Sequence, residues 1–305
     1  MPDRDRHAEL LAMAADLRPE LHRYCARLMG SVIDGEDVVQ DAFAKAMTAL
    51  DDLQDSTQLR AWLFRIAHNR ALDQLRSRAI RATEPIEAAY EAADQATPDP
   101  VEKLMQQQAV KTAVSRFAEL PILQRSVVVL KDVLDEPLAE IAALLGLSID
   151  AVKGHLARGR GRIREINARS QPLPDAQPAS PAVARYVALF NQRDWQNLRA
   201  LLADDVRLHQ SLHPPRTGAA DVGMFFTHYA RNEGVRLAPA WLEGREVIAV
   251  FEHPDEAEPS HFMWLEWRDG RISLIRDYRY VRYVARDAEL VLAPVPDALR
   301  NGDGH

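Results

Sequence analysis

A single cysteine, Cys25, in a chain of 305 residues excludes an internal disulfide and any cysteine-rich zinc site. It falls in an apolar helical pattern and reads as a small core residue. No apolar run approaches the roughly 20 residues that span a bilayer, and the polar opening MPDRDRHAE lacks the apolar stretch of a signal peptide. The expected protein is cytoplasmic, with no membrane partner. Positive excess is missing too: the net charge is −7, so the molecule as a whole does not attract polyanions. Nucleic-acid contact must then come from local basic patches, with acidic surface left for another partner or for solubility. What is present is 47% hydrophobic residues, enough core material for two or three domains.

The most informative stretch is LAEIAALLGLSIDAVKGHLARGRGRIREI, residues 138–166. Leu138, Ile141, Ala142, Leu144 and Leu145 mark one face of a short helix that Gly146 ends. Ser148 is the N-cap of a second helix, in which Ala151, Val152, Leu156, Ile163 and Ile166 recur at helical spacing. Two helices joined by a tight Gly-containing turn make a helix-turn-helix, whose second member enters the DNA major groove. That helix carries Lys153, His155, Arg158, Arg160, Arg162 and Arg164, suited to phosphates and base edges. A solvated basic helix on a bundle is the plainer alternative.

Upstream, residues 8–28 read as an amphipathic helix, kinked or divided at Pro19. Asp34 is the expected N-cap of the next helix, with Asp37 in the capping-box position. Val38, Val39, Ala42, Phe43, Ala46 and Leu50 point inward there, leaving Glu36, Asp37, Gln40, Asp41 and Lys45 for solvent or a partner. A third helix runs from Gln58 to about Arg81. It sets Arg60, Arg65, Arg70, Arg76, Arg78 and Arg81 against one acid, Asp73, beside Trp62 and Phe64. Such a helix suits a nucleic-acid surface, although its aromatics taken alone fit a core better than a base-stacking platform.

The run DGEDVVQDAFAKAM, then LRAWLFRIAHNRALDQLRSR, then LPILQRSVVVLKDVLDEPLAEIAALLGLSIDAVKGHLARGRGRIRE, resembles regions two and four of extracytoplasmic-function sigma factors. These are small initiation subunits of bacterial RNA polymerase, and the resemblance covers residues 10–164. It implies that Asp37, Gln40, Asp41 and Phe43 dock on the clamp helices of core polymerase. It places Arg65, Asn69, Arg70, Asp73 and Arg76 at the minus-ten promoter element, and the loop of residues 51–58 at an extruded base. Ser148, Lys153, Gly154, His155, Ala157 and Arg158 would serve the minus-thirty-five element, with Arg160 and Arg162 on phosphates. Gly154 and Ala157 depart from the larger or more polar residues common there. A helix over residues 101–119 is expected to open region four.

Beyond the linker SQPLPDAQPASP, residues 181–192 form an amphipathic helix, and DWQNLRALLADDVRL a second helix running into a strand. VRLAPAWLE, REVIAVFE, HFMWLEWRDG and RISLIRDYRYVRYV read as strands, the last two joined by an Asp269-Gly270 hairpin turn. This part resembles the SnoaL-like, cystatin-like pocket fold, known as a C-terminal extension of some sigma factors. Such members often carry Trp-Leu-Pro in the tether, where this chain has Pro172-Leu173-Pro174.

The expected fold is multidomain: two all-α sigma modules, a region 2 helical bundle and a region 4 helix-turn-helix, followed by an α+β SnoaL-type cone. The boundaries are 8–82 for region 2, 83–100 for a flexible linker, 101–169 for region 4, 170–180 for a Pro-rich linker, 181–285 for the cone and 286–305 for a tail, with VLAPVP as an edge contact. No cofactor, metal or catalytic residue is expected. His209, His213, His228, His261 and Asp277 are the titratable candidates in the cone, and His209, Trp264, Asp277 and Tyr278 the pocket candidates for a small ligand. The expected partners are core RNA polymerase and promoter DNA. The fused domain is expected to act as a regulatory module in place of a separate anti-sigma protein. A ligand-responsive helix-turn-helix repressor and a pocket enzyme with a DNA-binding arm are the alternatives.

Overall fold

The computed structural model describes residues 2–49, 56–82, 107–169 and 177–294. The chain forms two compact units, Met1–Gln171 and Pro172–His305. Loop residues 51–55, the first linker and the start of the expected helix at 101 lie outside the described residues.

In the first unit, α1 (Pro2–Met29) continues through Pro19 as one helix. Pro19 is exposed, so water can satisfy the carbonyl that its missing N–H leaves unbonded. Gly30, at φ 70°, turns the chain into α2 (Val32–Thr48). The cap of α2 is Ser31, whose Oγ accepts the Asp34 N–H at 3.2 Å, three residues before the expected cap. Gly35 lets α1 and α2 cross closely, since a Cβ there would lie 2.5 Å from Ala26 Cα. A 3₁₀ turn, Ser56–Gln58, leads into α3 (Leu59–Ala82).

The second half of this unit begins with helical residues 107–111 and a 3₁₀ segment, Val114–Glu119, in place of one helix over 101–119. Next come α4 (Ile122–Val128) and a π-helical turn at Val129–Val133. Pro121 stands at the N-cap of α4, and Asp135 takes φ 57° after the π turn. The helix-turn-helix has the expected bounds: α5 (Leu138–Leu145) ends at Gly146, φ 68°, and Ser148 caps α6 (Ile149–Ala168) by accepting from Ala151. One hydrophobic core runs through both halves, from Leu21, Tyr24 and Phe64 to Phe117, Val127, Leu156 and Ile163. The segments read as separate modules therefore fold together. Arg125 fixes the junction by donating to the carbonyls of Leu28 at 2.5 Å, Ala118 at 2.7 Å and Leu120 at 2.9 Å.

The second unit starts with α7 (Pro181–Asn191), capped by Ser180, and α8 (Trp195–Ala200), capped by Asp194. Its strands are β1 (Leu202–Gln210), β2 (Arg216–Thr217), β3 (Arg236–Leu242), β4 (Arg245–Phe251), β5 (His261–Arg268), β6 (Arg271–Asp277) and β7 (Leu290–Leu292). Their order in the sheet is β2-β1-β6-β5-β4-β3-β7, antiparallel except for β1 beside β6. Both tight hairpins use consecutive positive φ angles, Glu243 at 52° with Gly244 at 75° and Asp269 at 53° with Gly270 at 76°. Two helices, α9 (Ala219–Ala230) and α10 (Tyr283–Arg286), complete the unit. Leu290–Leu292, inside the span read as a tail, pairs with β3 and adds an edge strand.

One sheet face carries Leu208, Ile248, Val250, Met263, Leu265 and Ile275 against Tyr186, Phe190, Phe226 and Tyr229 of α7 and α9. On the other, Ala240, Val247, Ala249, Phe251 and Phe262 are also buried. A strand buried on both faces loses its polar alternation, which suits the apolar run VIAVF in β4.

Candidate nucleic-acid interface and an enclosed polar cluster

Helix α6 turns Val152, Leu156, Gly159, Ile163 and Ile166 toward the core. Gly159 brings α6 against α4, because a Cβ there would meet Val128 Cγ2 at 2.5 Å. Lys153, Ala157, Arg162 and Arg164 are exposed, and Arg158 is half-buried. Lys153 Nζ lies 3.6 Å from the Asp150 carboxylate, a loose exposed pair that leaves the ammonium accessible. Ser148 is engaged as the cap. Three residues expected at DNA have other surroundings. Gly154 and His155 are buried, and burial, followed by the positive charge of Arg158, lowers the His155 pKa and favours the neutral ring. Arg160 forks onto Asp132 of the π turn, with Nε–Oδ2 2.9 Å and Nη2–Oδ1 2.6 Å, and the Asp132 side chain is fully buried. That guanidinium holds α6 to the π turn instead of projecting to a phosphate.

Helix α3 buries Leu59, Leu63, Phe64, Ala67 and Ala71, leaving Arg65, Asn69, Asp73 and Arg76 outward. Trp62 packs with Ala14, Ala46, Leu59 and Leu63, so it belongs to a small satellite core. Arg60 stands over the Phe64 ring at 4.7 Å and forks onto Glu20, with a further bond to Glu136. Arg70, Asp73, Gln74, Ser77 and Arg78 line an open groove along the helix.

On α2, Gln40 is exposed and Asp37 and Asp41 are half-buried. Glu36, expected to face outward, is fully buried and pairs with Arg18 at 2.6 Å. The Arg18 guanidinium also covers the Phe43 ring, 4.8 Å from its centroid. Asp34 accepts from Arg78 at 2.8 Å, and Asp41 from Arg70 at 2.5 Å. The acidic face of α2 and the basic face of α3 thus meet along one seam.

In the second unit, strand alternation divides the expected pocket residues. Met263 pairs with Asp277 and Trp264 with Arg276, while Arg276 pairs with His209, so His209, Trp264 and Tyr278 share the face opposite Asp277. They do not form one pocket. Asp277 instead joins an enclosed cluster on the helix-covered face. Its Oδ2 accepts from Gln210 at 2.7 Å and its Oδ1 from the Arg279 N–H at 3.2 Å, with His261 Nε2 3.3 Å from Oδ1. The Tyr229 hydroxyl is 3.4 Å from the same imidazole nitrogen. Burial, then the Asp277 charge, raises the pKa of both Tyr186 and Tyr229, keeping these phenols neutral. The exposed His213 ring lies 4.1 Å from the Tyr280 ring, outside the cluster, and the His228 side chain lies outside the described residues. Among the described residues, no group of three or more His, Cys, Asp or Glu is placed to hold a metal ion, and no helix is long and apolar enough to cross a membrane.

Family models match three stretches: Sigma-70 region 2 at residues 13–80, Sigma-70 region 4 at 109–163 and a SnoaL-like domain at 183–275. The ECF RNA polymerase sigma factor SigM of Mycobacterium tuberculosis is 32% identical over 147 residues, 48% of this chain and 71% of SigM. The chain belongs to the extracytoplasmic-function sigma factors. SigG of Mycobacterium tuberculosis, another such factor, is 30% identical over 241 residues, and the match covers 71% of this chain and 64% of SigG. The chain thus spans less than two thirds of that relative's length. The crystal structure of M. tuberculosis SigJ, at 22% identity and a TM-score of 0.33, covers 88% of this chain and 95% of SigJ.

Within this sigma factor, region 2 corresponds to α1 to α3 and region 4 to residues from 109 through most of α6. Periodicity located the outward Arg65, Asn69 and Arg76 of α3 and Lys153 and Arg162 of α6, because one helical face follows from spacing alone. It carried no signal for Asp132, whose pairing with Arg160 depends on the π turn. Nor did it join Gln210 to Asp277, which are 67 positions apart and meet through the parallel β1/β6 pair.

Proposed function

We propose that the chain is a promoter-specificity subunit that binds core RNA polymerase, recognises the minus-ten and minus-thirty-five elements and initiates transcription. The observation that carries this reading is the exposure of two basic helix faces, Arg65 and Arg76 on α3 and Lys153 and Arg162 on α6, in a chain that carries regions 2 and 4. Arg65, Asn69, Arg70 and Arg76 serve the minus-ten element, with Asp73 restraining Arg76 across 3.4 Å. Lys153, Ala157, Arg158 and Arg162 face the minus-thirty-five element. Asp37, Gln40 and Asp41 form the polymerase-docking face, and Phe43 supports it from beneath. Phosphate contacts supply affinity that falls with salt, while base-edge contacts supply selection.

The SnoaL-like domain acts in this reading as a regulatory module, not an enzyme. Its tether keeps its local concentration high beside the unit it regulates. A separate anti-sigma protein is not dispensed with in this reading, since the sigma factor RpoE of Bartonella quintana has been solved in complex with the anti-sigma factor NepR.

Run-off transcription with the source bacterium's core polymerase and a pool of promoter DNA tests the reading. Promoter-specific transcripts are expected from the full chain and from one ending at residue 171. A change in yield between them measures the regulatory effect. Equal yields and equal promoter and polymerase affinities would remove the regulatory role. Absence of transcripts from both, with duplex binding by the isolated chain, would favour a helix-turn-helix repressor.

A further inference from the structure

We infer that Asp41 and Arg70 form an exchange contact that couples polymerase docking to minus-ten DNA binding, an inference that rests on the surfaces proposed above. The two residues belong to different surfaces, Asp41 to the acidic face of α2 and Arg70 to the groove on α3. In the free chain they bind each other, Nη2 to Oδ2 at 2.5 Å. The remaining bond to Asp41 among the described residues is a long one, 3.5 Å from Gln74 Nε2. While this pair is closed, the carboxylate is occupied as a docking group and the guanidinium, at the wall of the groove, has its charge engaged.

The other ion pairs of the same unit show why this one is suited to exchange. Arg18–Glu36 and Arg160–Asp132 are enclosed, with side-chain exposures of 5%/1% and 16%/0%, so opening them would strand buried charge. Arg76–Asp73 lies within one helix and joins no two surfaces. Asp34–Arg78 spans α2 and α3, but its carboxylate is only 8% exposed. Arg70–Asp41 also spans the two helices and has both side chains open to solvent, 38% and 44% exposed. Such a pair contributes little by itself and is replaced without leaving a buried charge. A basic side chain of polymerase that takes Asp41 releases Arg70 to a DNA phosphate. By linkage, DNA that takes Arg70 frees Asp41 for polymerase to the same degree.

The test measures the affinity of the full chain for core polymerase, without DNA, for wild type, Arg70→Ala, Arg70→Gln, Asp41→Asn and Arg70→Ala/Asp41→Asn. Thermal melting confirms that each is folded. Exchange predicts that both Arg70 variants bind core about twofold to fivefold more tightly than wild type, the range that an exposed pair can shift. Arg70→Ala should add nothing in the Asp41→Asn background. Unchanged or weaker binding by the Arg70 variants would overturn the coupling and leave the pair a brace between helices. Tightening that persists in the Asp41→Asn background would overturn it as a general charge effect. Failure of wild type to bind core would remove the polymerase reading itself.

Discussion

The two units place their polar side chains in opposite ways. In the first, guanidinium groups clamp helices from within, as Arg18, Arg125 and Arg160 do, while a second set of polar residues points outward. In the second, Gln210, Tyr229, His261 and Asp277 are turned inward between a sheet and two helices. The outward set suits an extended polymer, which touches many side chains weakly. The inward set makes few contacts, each in a low-dielectric setting where an unmatched partner is costly. Damage to an inward group should therefore register as stability of its own unit, and damage to an outward group as binding.

The largest effect that tests this contrast is expected from Asp277→Ala. The change leaves the Gln210 amide and the Arg279 N–H without the buried carboxylate they donate to, at about 1–3 kcal/mol for each donor left unsatisfied. Denaturant unfolding followed by tryptophan fluorescence should show the second unit destabilised, because all the tryptophans except Trp62 lie there, while hydrogen exchange of the first unit in the same full-length variant stays as it was. An equal loss in both units would break the comparison.

A smaller effect is expected from His68 in the first unit. Burial, then the positive charge of Arg76, lowers its pKa from 6.5 to about 4, and its Nδ1 is 2.7 Å from the Tyr24 hydroxyl. Because the folded value lies below the unfolded one, the unfolded chain binds the proton more readily, and stability falls as pH drops from about 6.5 toward 4. The expected loss is roughly 2 kcal/mol between pH 7.5 and pH 5. Denaturation midpoints of the 171-residue chain should follow that slope, and His68→Gln should flatten it.

Effects of opposite sign, the smaller of them the smallest of all, come from two glycines on one helix. Gly159→Ala forces a methyl into Val128 and should destabilise the first unit by about 1–3 kcal/mol. Gly161→Ala meets nothing within 4 Å and should stabilise it by roughly 1 kcal/mol. Opposite shifts in melting temperature would show that α6 is packed on one side and free on the other.

The helix-turn-helix was legible because its signals are local: Gly146 takes a left-handed angle, Ser148 caps, and apolar spacing marks the buried face. The same logic misplaced the start of α2, since Ser31 and Asp34 both suit a cap and tertiary contact with Arg78 claims Asp34. It also left Glu36 at the surface, where pairing with Arg18 draws it inside. In the cone the hairpin at Asp269-Gly270 was evident, but α9 was not foreseen. The pocket residues failed as a set because which face a strand residue occupies depends on register, and register across β1, β6 and β5 is non-local. Residues that looked alike in chemistry were sorted to opposite faces by parity.

The Arg125 junction bears on heredity as much as on folding. Its guanidinium reaches back 97 positions to the Leu28 carbonyl, and Arg27 stands 5.7 Å from the Phe117 ring across the same boundary. A region 4 transplanted into this chain would keep the handshake only if it carried an arginine at the position of Arg125 and an aromatic ring at that of Phe117. Without them the Leu28 carbonyl would lose its donor and the shared core its fit. A recombinant that does persist should carry Arg125, Phe117 and the end of α1 together.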